Sequence, residues 1–74
     1  MLIKVKLFAT FRQGRFDENN IDLPMASSVA FLLKHLNISA EQVGILLVNG
    51  RSVSVETELS DNDVVSIFPA IGGG

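Results

Sequence analysis

The residues best placed to do chemistry are the last three, Gly72-Gly73-Gly74, which follow Phe68-Pro69-Ala70-Ile71 and end in a carboxylate on a backbone without side chains. A carboxylate is a poor electrophile. An enzyme that activates one at a chain end must enclose the last residues in a narrow channel, where side chains would clash, and glycine removes that obstruction. Three consecutive glycines also cost more entropy to order than any alternative. A stretch that is expensive to fix and adds nothing to a core should have a use outside the fold. On composition alone, a frayed terminus accounts for the same residues equally well.

Other candidate chemistry is weaker. Asp61 and Asp63 flank Asn62, but a calcium loop also needs a turn glycine and a distal glutamate at set positions, so a solvated turn is the better reading. His35 stands alone near the end of a helical pattern, as a surface histidine near a helix C-terminus does. The segment Gly50-Arg51-Ser52-Val53-Ser54 lacks the second glycine of a nucleophile elbow. No helix follows the terminal glycines to present amides to a phosphate. There is no Cys, hence no disulfide and none of the usual thiolate zinc sites. These signals point to no metal site, and the sequence offers no obvious general base.

The chain of 74 residues is one domain, 47% hydrophobic, with five Phe, no Trp and no Tyr. A domain of this size buries about 60–65% of its unfolded surface, so the Val, Ile and Leu core must supply the stability. The formal charge is -2, with six Lys and Arg scattered along the chain, which argues against nucleic acid as a partner. Two lysines interrupt the apolar N-terminus, unlike a signal peptide. The longest apolar run that could cross lipid, Ile45 to Val48, is far too short. A soluble, cytoplasmic protein with no membrane partner is expected.

The elements that must position the tail are legible as periodicities. From Leu2 to Ala9, Ile3, Val5, Leu7 and Ala9 alternate with Leu2, Lys4, Lys6 and Phe8, the pattern of a half-buried strand. Thr10 is placed to cap a short turn over Phe11 to Gln13, and Asn19 to Leu23 is a second strand that pairs with the first as a hairpin. Ser27 or Ser28 supplies a helix N-cap. Val29, Leu32, Leu33 and Leu36 then form one apolar stripe, with the helix ending near Asn37. A short turn follows over Ala40 to Val43. Ile45 to Val48 is a strand, Asn49-Gly50 a hairpin turn, Arg51 to Val55 a short edge strand, and Leu59 is tucked inward. Val64 to Phe68 is the last strand, ended by Pro69. One helix and one sheet bury most surface when the helical stripe lies across one sheet face. The class is α+β, with residues 1–69 as the domain and 70–74 as a flexible glycine tail.

This layout resembles the β-grasp, ubiquitin-like sulfur carriers of the MoaD/ThiS family, among which the small subunit of molybdopterin synthase is nearest. The matching residues are Ile3-Lys4-Val5, then Val29 with Leu32-Leu33 and Leu36, and Val48-Asn49. The match continues through Leu59-Ser60-Asp61-Asn62-Asp63-Val64-Val65, Phe68-Pro69 and the final Gly73-Gly74. The resemblance spans the chain. Its most specific part is Phe-Pro followed, after three residues, by Gly-Gly. Many family members have a second proline where this chain has Ala70, and Ala or Ser where it has Gly72, so a looser tail is expected here.

The resemblance implies a mixed sheet of four to five strands on one main helix, and a cycle centred on the tail in which the protein is a recyclable co-substrate, with no bound cofactor, no need of a general base and no catalysis of its own. An E1-like adenylating enzyme uses ATP to convert the Gly74 carboxylate to an acyl adenylate; sulfur displaces the nucleotide, leaving a thiocarboxylate. The molybdopterin synthase large subunit, or another sulfur-accepting enzyme, then takes the sulfur for molybdenum or tungsten cofactor synthesis. Gly72 and Gly73 would thread the tail into both active sites. If the first and last strands are neighbours, as the resemblance implies, Phe8, Leu47 and Phe68 form an exposed apolar patch beside the tail, with Lys4 and Lys6 near it. Pro69 and Ile71 complete the expected partner-binding set. The alternatives are a carrier serving thiamine, cysteine or another thio-metabolite, and, from another class, a ubiquitin-like modifier or binding module.

Overall fold

In a computed structural model of the protein, residues 1–70 are described. The strands are β1 (Leu2–Leu7), β2 (Glu18–Asp22), β3 (Val43–Val48), β4 (Arg51–Ser52) and β5 (Val64–Pro69), and the helix is α1 (Val29–His35). They form a five-stranded mixed sheet in the order β2-β1-β5-β3-β4. β1 and β5 run parallel at its centre and the other neighbours are antiparallel. This is the ubiquitin-like β-grasp arrangement.

Strand alternation decides which face receives α1. Ile3, Val5 and Leu7 of β1, Val65 and Ile67 of β5, and Leu46 and Val48 of β3 are all buried on one face. Val29, Leu32, Leu33 and Leu36 cover them, with Phe11, Ile38 and Leu59 closing the edges of the same cluster. Seven residues are too few for a helix to hold itself in water, so α1 depends on its ends and on this packing. At its start the Ser28 Oγ accepts from the Phe31 N–H at 3.1 Å, and the Val29 and Ala30 N–H groups donate to the carbonyls of Thr57 and Val55. At its end Asn37 takes the left-handed conformation, φ 59°, and the Ile38 N–H reaches back to the Leu33 carbonyl at 2.9 Å. That is a helix stop in which Asn does the work of glycine. Arg15 reinforces it by donating to the Leu36 and Asn37 carbonyls, each at 3.1 Å.

Local departures from the sequence reading have physical causes. Ala9 does not continue β1 inward: it is exposed, with φ 53°, because the chain turns there into a 3-10 segment over Ala9–Arg12. Phe8, not Thr10, precedes that segment, and no side chain caps it. β4 stops at Ser52 rather than Val55, because after the Val53 N–H donates to Leu46 the chain turns away to satisfy the first amides of α1. β3 begins at Val43, two residues before Ile45, because Val43 pairs with Pro69 across an irregularity between Val43 and Ile45. No helix among the described residues is long and apolar enough to cross a membrane.

Candidate functional site

The sheet face opposite α1 carries the other half of each alternation. Phe8 extends the outward row of Lys4 and Lys6, and Val64, Ser66 and Phe68 line the adjacent row on β5. The Phe8 and Phe68 rings stack nearly parallel, with centroids 4.0 Å apart and planes 8° from each other. The Arg12 Cζ lies 5.3 Å from the centre of the Phe8 ring, within cation–π range. Its Nε donates to the Leu7 carbonyl at 2.7 Å and faces Asp17 at 3.6 Å. The 3-10 turn after β1 therefore holds a guanidinium at the rim of the aromatic pair.

Across β5 the neighbour of Phe68 is Ile45, 52% exposed, while Leu47 pairs with Ser66 one row away. Leu47 is half-buried. An apolar groove of about 430 Å³, lined by Ala9, Gly44, Ile45, Phe68 and Pro69, lies where β5 ends. Ala70, the residue following β5, donates its N–H to the Gln42 carbonyl at 2.8 Å. Gly44 sits directly against this junction: a Cβ there would lie 2.7 Å from the Ala70 Cα and 2.8 Å from the Pro69 carbonyl oxygen. The bond to Gln42 uses the Ala70 N–H, which a proline would lack. Lys6 shares a row with Ser66 and Leu47, and Lys4 faces Val64 one row below while pairing with Glu18 at 3.6 Å.

The opposite end of β5 is fixed by the residues that the resemblance emphasised. Asn49, at φ 53°, accepts from the Val64 N–H at 2.9 Å and donates to Asp63 Oδ1 at 2.8 Å. Asp63 Oδ2 accepts from the Ser60 N–H, and Asp61 Oδ1 accepts from the Leu2 N–H. The two aspartates thus spend oxygens on backbone and side-chain amides of the turns that start β1 and β5. Val48-Asn49 and Leu59 to Val65 set the register of the two central strands.

The sequence profile of the ThiS family matches residues 5–74. The chain belongs to the ThiS family. A Pyrococcus furiosus protein proposed to be molybdopterin converting factor subunit 1 is 37% identical to this ThiS-family chain, superposes with a TM-score of 0.79, and is matched over 96% of this chain and 99% of its own. Small archaeal modifier protein 1 from Haloferax volcanii shares the fold at 17% identity, with a TM-score of 0.77 over 95% of this chain and 98% of its own. So does a chain of the complex of subunits 1 and 2 of the molybdopterin-converting factor from Helicobacter pylori, at 22% identity and a TM-score of 0.68, covering 100% of this chain and 100% of that one. No curated protein matches the sequence significantly.

In this ThiS-family chain the structure brings Phe8, Phe68 and Pro69 together at the end of β5 and sets Leu47 one row off. Ile71, Gly72, Gly73 and Gly74 lie outside the described residues. Sequence reasoning missed Ile45, although it lies two residues before Leu47 and the same alternation places it outward. It also missed Arg12, Ala9 and Gly44. Gly44 carries no local signal, since its requirement is space beside a strand distant in sequence.

Proposed function

We propose that this chain is a sulfur carrier for molybdopterin synthesis, acting as a protein co-substrate in the cytoplasm and as the small subunit of a molybdopterin synthase. The observation that carries the reading is the apolar face of Phe8, Ile45, Phe68 and Pro69 at the point where the chain leaves the domain for its glycines. Contiguous accessible apolar surface marks partner sites, and this one, with Ile45 exposed and Phe8, Phe68 and Pro69 half-buried, puts a docked enzyme within reach of the last residues. An E1-like adenylating enzyme would bind there and use ATP. The Gly74 carboxylate oxygen attacks the α-phosphorus, expelling pyrophosphate and forming an acyl adenylate. A hydrosulfide ion from the sulfur donor then attacks the acyl carbon, forming the C–S bond as the C–O bond to AMP breaks, and loss of its proton leaves a thiocarboxylate. The protein supplies position: a docked domain presents its tail as an effectively intramolecular reactant, worth several kcal/mol of a barrier. Gly72 and Gly73 would let that tail pass a narrow channel.

The large subunit of molybdopterin synthase is the proposed acceptor. The identity with the Pyrococcus protein and the fold shared with subunit 1 of the Helicobacter complex support that choice. The test is intact-protein mass spectrometry after incubation with adenylating enzyme, ATP and a sulfur donor. Replacement of one oxygen by sulfur at Gly74 is the expected result, and the same spectrum verifies that Gly74 is the terminal residue of the working protein. No mass change with any of several activating enzymes would sink the reading. A conjugate through Gly74 to another protein's lysine would favour a modifier instead, and delivery of sulfur only to a thiamine or cysteine pathway enzyme would reassign the acceptor.

A further inference from the structure

We propose that Gly44 is a positioning residue for the reactive tail: together with the Gln42 carbonyl it clamps the tail's root and sets the direction in which the chain leaves β5. The inference rests on the carrier reading above, but its observations are independent of it. Gly44 is not among the glycines with positive φ, so its backbone does not demand glycine; the space does. A methyl group there would stand 2.7 Å from the Ala70 Cα, 2.8 Å from the Pro69 oxygen and 3.0 Å from the Ala70 nitrogen. All three are backbone atoms, which cannot swing aside as a side-chain tip would.

The approach is used on both sides. The Ala70 N–H donates to the Gln42 carbonyl at 2.8 Å, one hydrogen bond beyond the last paired residues, Val43 and Pro69. Between Val43 and Ile45 the ladder shifts register, and Gly44 lies in that shift. The irregularity brings β3 against the chain just past β5, where an ordinary pairing would have ended at Pro69. On the other side of the groove Ala9 holds a left-handed conformation, φ 53°, so both walls beside the tail's root depart from regular strand geometry.

The consequence concerns reach. On the carrier reading the reacting carboxylate is that of Gly74, four residues past Ala70, and four extended residues span at most about 14 Å. With so short a lever, the place where a docked domain delivers its carboxylate depends on the orientation of the root. A misplacement of about 1 Å can cost on the order of a hundredfold in rate. A clamp at Ala70 limits that error without touching the reacting group.

The test compares wild type with Gly44→Ala and with a semisynthetic chain carrying lactic acid in place of Ala70, an amide-to-ester change that removes the donated N–H while leaving Gly44 in place and serves if the first variant does not fold. In the free protein, amide hydrogen exchange should show the Ala70 N–H protected in wild type and freely exchanging in Gly44→Ala. In steady-state sulfur loading with an adenylating enzyme, each folded variant should lose at least tenfold in kcat with KM within twofold of wild type, since neither change removes an apolar side chain of Phe8, Ile45, Phe68 or Pro69. A merely structural role would lower thermal stability without that split. Wild-type kcat in the variants, or an unprotected Ala70 amide in wild type, overturns the clamp alone. Failure of wild type to load with any activator overturns the carrier reading, and the functional role of the clamp with it, whatever the exchange data show.

Discussion

Removing either ring of the Phe8–Phe68 pair separates what the outer sheet face does for the fold from what it does for a partner. Neither residue belongs to the core cluster; both are half-buried, and their main contact across the sheet is the stack with centroids 4.0 Å apart. Such a pair contributes about 0.5–1.5 kcal/mol beyond its burial. Phe8→Ala and Phe68→Ala should therefore each destabilise modestly. A loss of about 1 kcal/mol lowers Tm by about 4–8 °C in a domain of this size. The double variant should fall short of the sum of the singles by about the stacking energy, since the stack can be lost only once. Docking should respond more strongly. An aromatic anchor at the centre of an interface is worth about 2 kcal/mol or more, roughly a 30-fold rise in Kd. Urea unfolding measures the first effect, and titration calorimetry against an adenylating enzyme or a molybdopterin synthase large subunit measures the second. If both folded single variants bind every such partner within threefold of wild type, the face is not a docking surface and the proposed function loses its central support.

Two further predictions concern the devices that hold the tail-bearing strand and the helix. Asn49→Ala removes both side-chain hydrogen bonds to the start of β5 and leaves a non-glycine residue at φ 53°; it should cost about 2–3 kcal/mol in urea unfolding, whereas Asn49→Gly, which tolerates the conformation, should cost about 1 kcal/mol less. Arg15→Ala strips the donors from the Leu36 and Asn37 carbonyls. Because Arg15 is exposed, the loss should be only about 1 kcal/mol, seen as a Tm lower by several degrees with unchanged partner affinity.

The readability of each feature followed the range of the interaction behind it. β1 could be read because Ile3, Val5 and Leu7 alternate locally with Lys4, Lys6 and Phe8, and the same parity placed Phe8 on the outer face. The stripe Val29, Leu32, Leu33 and Leu36 likewise identified α1, and Asn49-Gly50 the turn, because each pattern is complete within a few residues. The turn at Ala9 was not legible: alternation extrapolates through it, and only the burial of Phe11 against the core explains why the chain breaks there. Arg15 looked like a surface charge, since its acceptors lie more than twenty positions away. Gly44 gave no local signal, since its neighbours Pro69 and Ala70 come from the other end of the sequence. The parallel pairing of β1 with β5 has the same character, and it entered the sequence reading through the family resemblance rather than through any pattern in the strands.

That central pairing explains how so small a domain carries the proposed docking face without weakening its core. β1 and β5 are each flanked by strands on both sides, so their backbones are held whatever their outward side chains do. Inward residues Ile3, Val5, Leu7, Val65 and Ile67 are fully buried, while outward positions hold Lys4, Lys6, Phe8, Ser66 and Phe68. Because the side-chain period of a strand is two, stability and recognition occupy alternate residues of the same segments and can vary separately. The arrangement also fixes where the tail emerges. β5 is the middle strand of the five, so the residue that follows it leaves from the centre of the sheet edge rather than from a corner, with Phe8 and Ala9 on one side and Gly44 and Ile45 on the other. A partner that seats on the aromatic pair must then meet the tail's root, which is what a carrier bearing its reactive group on so short a lever requires.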